Sequence, residues 1–229
     1  MSYKKDLSHY QAIPWPSLGP LTIDTGVLSV GDRDRLLAAM AECCSRHGYG
    51  ETTIVAVTER AGLGRASFDS HFESKEDCAV AALNKIVSET LAAVSTAPTA
   101  DGEGERRVLQ IRAILELMSA QPSFAHLVYI EARQGGTKRM RDTYQSAAHV
   151  LALMMERLGG NGEQPPARAA RAALGGAEAV MRRELALGNT GAVPVLLPDF
   201  VYAALVPFVG QREALRQSRL ARQLLAEEG

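Results

Sequence analysis

The stretch GYGETTIVAVTERAGLGRASFDSHFESKED, residues 48–77, decides the fold. Thr52 or Thr53 offers a hydroxyl to the free N–H groups of a short helix over about Ile54–Ala61. Gly62-Leu63-Gly64 then breaks the chain sharply, and a second short helix follows from Arg65 to about Phe72. Ser74, with Asp77 three residues on, resembles a capping box that opens a longer helix near Lys75. Upstream, Leu36, Leu37, Met40, Ala41 and Cys44 recur at intervals of three and four, which predicts an amphipathic helix over Asp32–His47 that Gly48 ends. Two short helices joined by a tight glycine-containing turn, with a third before them, are the geometry of a helix-turn-helix.

In that motif the second helix of the pair enters the major groove with its first residues at the base edges. Here those residues are Arg65, Ala66 and Ser67. An arginine can donate two parallel hydrogen bonds to guanine O6 and N7, and a methyl group can meet the thymine methyl. Ser67 and Ser70 are placed for phosphate or base edges, Thr53 for a phosphate at the start of the first short helix, and Lys75 for a second phosphate.

The run Gly48-Tyr49, Thr52-Thr53-Ile54, Ala61-Gly62-Leu63, Phe68, His71-Phe72 and Ser74-Lys75-Glu76 resembles, in order and spacing, the DNA-binding signature of the tetracycline-repressor (TetR) family over about 45 residues. The resemblance adds His71 to the expected DNA contacts. It implies an all-α protein: a three-helix DNA-binding domain at 31–77, after an irregular arm at 1–30, and a helical ligand-binding and dimerisation domain at 78–229. The implied function is that of a regulator, a repressor that binds a palindromic operator in double-stranded DNA as a homodimer and is released by a small-molecule effector. The chain departs from the family at one position. A tyrosine that touches the DNA backbone usually follows the place of Phe68, and this chain has Asp69. A carboxylate there repels phosphate unless it is neutralised or turned away.

Composition fits the fold and leaves the ligand open. Of 229 residues, 46% are apolar, 22% charged and only 5% aromatic, which favours helix over strand. The net charge is −1, and residues 31–77 hold six Lys and Arg against nine Asp and Glu, so any DNA case rests on local arrangement. The apolar stretches read as too interrupted to span a bilayer and Met1–Pro20 lacks a signal-peptide pattern, so the expectation is a cytoplasmic protein without a membrane partner. Cys43, Cys44 and Cys78 lack partners at zinc-ligand spacing and read as buried structural thiols, with redox sensing as the alternative. No metal or cofactor is expected.

Pro14, Pro16, Gly19, Pro20 and Gly26 make residues 1–30 irregular, with Trp15 the single tryptophan. Beyond a Pro- and Gly-rich linker at 95–104, helices are expected at roughly 105–119, 122–133, 137–158, 165–188 and 197–226, the last bent around Pro207 and Gly210. Ala169, Ala172, Ala173, Gly175, Gly176, Ala177 and Ala179 form a small-residue surface suited to close packing against a second copy, with Leu196–Val209 as its bulky complement. Met118, Phe124, His126, Tyr129, Glu131, Tyr144, His149, Met154 and Met181 are the candidates for a mostly apolar effector pocket, with His126 and Glu131 at its polar end. Two other readings compete: the same fold regulating through protein contacts, and an enzyme built on a helical bundle. Against the enzyme, the sequence has no Glu-x-x-His pair, Cys/His cluster or phosphate-cradling glycine loop.

Overall fold

A computed structural model describes residues 31–98, 102–156 and 169–227; the arm expected at 1–30 lies outside them. Every regular element among the described residues is helical. Helix α1 (Asp32–Glu51) is interrupted at Gly48, followed by α2 (Ile54–Ala61), α3 (Arg65–His71) and α4 (Lys75–Thr96). Then come α5 (Glu103–Ala120), α6 (Pro122–His126) continuing into a π-helix (Leu127–Gly135), and α7 (Lys138–Glu156). Helix α8 (Ala169–Ala186), a 3₁₀ segment (Thr190–Leu196) and α9 (Leu197–Ala226) complete the order.

Local chemistry explains the first four boundaries. Thr53 caps α2, its side chain accepting from the Ala56 N–H at 3.1 Å. Gly62 ends α2 at φ +63, a left-handed conformation that a Cβ disfavours. Arg35, on α1, donates to the carbonyls of Ala61 at 2.6 Å and Gly62 at 3.2 Å, so the turn is held from outside as well. Ser74 caps α4 by accepting from the Asp77 N–H and donating to its carboxylate at 2.8 Å, the box expected from the sequence.

Two later elements differ from their expectation. Residues 122–133 are not one α-helix: the chain leaves α6 for a π-helix, whose wider turn carries no mark in the apolar period. Gly188–Pro198, read as a break, contains the 3₁₀ segment with Pro194 inside it. The bend expected in the last helix falls at Gly210, where φ is +77.

Helix α1 packs on α2, α4, α6 and the π-helix, while α9 packs on α5 and α8. One apolar core runs through both groups, from Leu36, Leu37 and Met40 through Phe68, Leu83 and Ile86 to Leu127, Met140, Met181 and Leu205. Helix α4 and the run Thr190–Ala226 are, by length and composition, apolar enough to cross a bilayer, which corrects the expectation that no stretch is. In the fold their apolar residues Leu83, Ile86, Phe200, Val201 and Leu205 are buried against neighbouring helices, and this packing accounts for their apolarity.

All three cysteines are buried. Burial pushes the thiols of Cys44 and Cys78 up to about 12 and also raises Cys43, where Glu42 adds to the effect. Thiolate, the reactive form, is therefore scarce at neutral pH. At pH 7.5 all three are expected to label with a maleimide far more slowly in the native protein than in urea. Fast labelling of any of them in native buffer, followed by peptide mapping, would favour the redox alternative.

Candidate nucleic-acid interface

A seven-residue helix does not stand alone in water, and α3 is held by its aromatic face. Phe68 is fully buried and Phe72 nearly so, with ring centroids 5.6 Å apart, and the Arg33 guanidinium covers Phe72 at 5.6 Å. With that face pinned, Arg65, Ala66, Asp69, Ser70 and His71 are all exposed. Arg65 Nε donates to Asp69 Oδ1 at 2.8 Å and Oδ2 at 3.0 Å, so Asp69 is neutralised one turn along the same helix. Ser67 is half-buried and donates to Asp32 Oδ2 at 2.8 Å, tying α3 to the start of α1. Ser70 donates to the Ser67 carbonyl at 2.7 Å. Thr53 is exposed beside this face at the start of α2, its hydroxyl oxygen occupied in capping.

Lys75 is held within the protein. Expected at a phosphate, its ammonium instead donates to the carbonyls of Tyr49 at 2.9 Å, Thr52 at 2.8 Å and Gly50 at 3.3 Å, and lies 4.3 Å from the centre of the Tyr49 ring. An ammonium has three N–H groups, and the carbonyls freed where α1 ends take all three.

Glu131 lies in the same region. Expected at the polar end of a pocket, its buried carboxylate accepts from the Tyr49 backbone N–H at 2.8 Å. The junction after Gly48 is thus clasped on its N–H by Glu131 and on its carbonyls by Lys75. The π-helix makes room for this. The Gly136 N–H returns to the Glu131 carbonyl, and a Cβ at Gly135 would stand 2.5 Å from Glu131 Oε2. His126 is near, with Nδ1 3.9 Å from Glu131 Oε1 but without a hydrogen-bond partner. Burial holds the His126 imidazole below its usual value, against the opposing pull of Glu131.

The other expected pocket residues divide. Met118, Phe124 and Met181 are buried in the common core, and Tyr129 and Tyr144 pack against it. Tyr144 accepts from Arg133 at 2.9 Å, and Arg133 also donates to the buried Glu178 on α8. Burial, reinforced by Glu178, pushes both tyrosine hydroxyls above their ordinary value. His149 is exposed on α7 and joins none of this, while the side chain of Met154 lies outside the described residues. Sequence reasoning missed Arg133 and Glu178. The signal for Glu178 was present: a carboxylate inside the Ala/Gly run 169–181 must either face water or find a partner.

Residues 36–82 match the family described as bacterial regulatory proteins, tetR family. No curated protein matches the sequence of the chain. Among solved structures, the fatty acid degradation regulator FadR of Bacillus halodurans is 16% identical over 79% of this chain and 96% of its own, at a TM-score of 0.65. TylP, a tetR regulator of Streptomyces fradiae, is 18% identical over 86% and 96%, at 0.63. FadR of Bacillus subtilis, solved with stearoyl-CoA, is 15% identical over 77% and 97%, at 0.59. These likenesses carry the fold, and the match over α1–α4 carries the signature of the reading module. Over residues 36–82 the chain is therefore similar to the bacterial regulatory proteins of the tetR family, and its fold is that of these solved regulators.

Proposed function

We propose that this chain is a cytoplasmic, ligand-responsive transcriptional repressor rather than an enzyme, binding a palindromic operator as a homodimer. Residues 31–77 read the DNA, and 78–229 sense the effector and dimerise. The observation that carries this reading is the exposed face of α3: Phe68 and Phe72 are buried while Arg65, Ala66, Ser70 and His71 face outward together. Support for dimerisation comes from α8, where Ala172, Gly175, Gly176 and Ala179 are exposed beside Val180, itself 40% exposed. Two such chains would set their α3 helices about 34 Å apart, one turn of DNA.

Support for an effector comes from a neighbour of the same fold, the Bacillus subtilis FadR solved with stearoyl-CoA. In this chain the polar group Tyr129, Tyr144, Arg133 and Glu178 among buried apolar residues is the best-placed lining for a small molecule. An effector that binds better when the π-helix moves would loosen Glu131 from Tyr49 and so weaken DNA binding by its differential affinity.

The test is selection of bound DNA from a random pool with the purified protein, followed by Arg65→Ala. A palindrome is expected, and the variant should lose about 1–3 kcal/mol of discrimination at one base pair of each half-site. A pool that enriches no palindrome, or an enriched operator that Arg65→Ala binds with unchanged preference, overturns the reading.

A further inference from the structure

Asp69 is a puzzle for a helix that approaches phosphates, and its geometry offers a solution. Both oxygens of its carboxylate lie within hydrogen-bond distance of one atom, Arg65 Nε, at 2.8 and 3.0 Å. A guanidinium has five N–H groups in a planar fork, and the one on Nε points to the side of the fork. With Nε held, the Nη1 and Nη2 groups remain at the outer end. That end is the edge whose two parallel N–H groups match guanine O6 and N7. Three neighbouring polar side chains have partners other than Arg65. Ser67 is turned to Asp32, Ser70 to the Ser67 carbonyl, and Arg35 to the end of α2.

We propose that Asp69 is a specificity-determining positioning residue, which holds the Arg65 fork in the orientation that reads guanine. This rests on the DNA-reading function proposed above. As an exposed pair, with side chains 60% and 52% accessible, the bridge adds little to folding. Its effect comes on binding. A free arginine on this surface would sample many rotamers and could settle on any nearby phosphate, giving affinity without sequence preference. Tethering Nε removes part of that freedom beforehand, and the carboxylate beside it repels a phosphate that approaches the outer end of the fork. Asp69 therefore trades general affinity for discrimination.

The experiment uses the full-length protein and the operator it selects. Dissociation constants are measured at fixed salt for that operator and for one with guanine replaced by adenine at the position whose preference Arg65→Ala abolishes. Asp69→Ala is expected to lower the guanine-over-adenine ratio by about three- to tenfold while leaving the melting temperature essentially unchanged. Asp69→Asn, which keeps an acceptor oxygen for Nε, should retain most of the ratio. In an Arg65→Ala background, Asp69→Ala should leave the ratio where Arg65→Ala alone put it. An unchanged or increased ratio in Asp69→Ala, with tighter binding to all sequences alike, overturns the proposal and makes Asp69 a mere source of charge repulsion. So does an Arg65-dependent position that is not guanine. A wild-type protein that selects no sequence at all is a different failure, which removes the DNA-reading function itself and this inference with it.

Discussion

Phe68→Ala is expected to destabilise the protein by about 3–5 kcal/mol, the range for deleting a fully buried phenylalanine ring. The ring has no exposed surface and packs against Phe72 in the core that includes Leu36 and Leu37. With only seven residues, α3 draws little stability from its own hydrogen bonds. Removing the ring therefore takes away both core packing and the fastening of the helix that presents Arg65. Urea denaturation followed by circular dichroism measures the loss. A change below about 1 kcal/mol would mean that α3 is held chiefly by something other than this side chain.

Glu131→Ala should cost about 1.5–3 kcal/mol, the range for a buried hydrogen bond to a charged group. The Tyr49 N–H that the carboxylate accepts from is buried and would be left without a partner. Glu131→Gln offers an acceptor of the same shape without the charge, so its loss should be distinctly smaller. The same denaturation experiment, run on both variants, tests the assignment. Equal stability for wild type, Ala and Gln would show that the carboxylate does not hold the end of α1. If both variants fall equally far, the charge rather than the acceptor is what the site needs.

The two residues differ in how far the sequence reveals them. That Phe68 faces inward is legible from local pattern, because a short helix between a glycine turn and Ser74 has one apolar side, made by Phe68 and Phe72. Glu131 lies 82 residues from its partner, and a backbone N–H leaves no residue type to look for. The π-helix that seats it is equally silent, since its extra residue per turn leaves the composition unchanged. Arg65 and Asp69 stand between these cases. Their spacing of four permits an ion pair on any helix, but only the placement of α3, with its other face buried, shows the pair outward on an open surface.

The helix-turn-helix is written locally: the caps at Thr53 and Ser74, the left-handed Gly62 and the contact between Phe68 and Phe72 all arise from interactions within a few residues of one another. The direction in which charged side chains reach depends instead on how distant helices pack. Lys75 turned to the end of α1, Glu131 to Tyr49 and Arg133 to Glu178, because a charge removed from water takes whatever partner the packing of distant helices brings within reach.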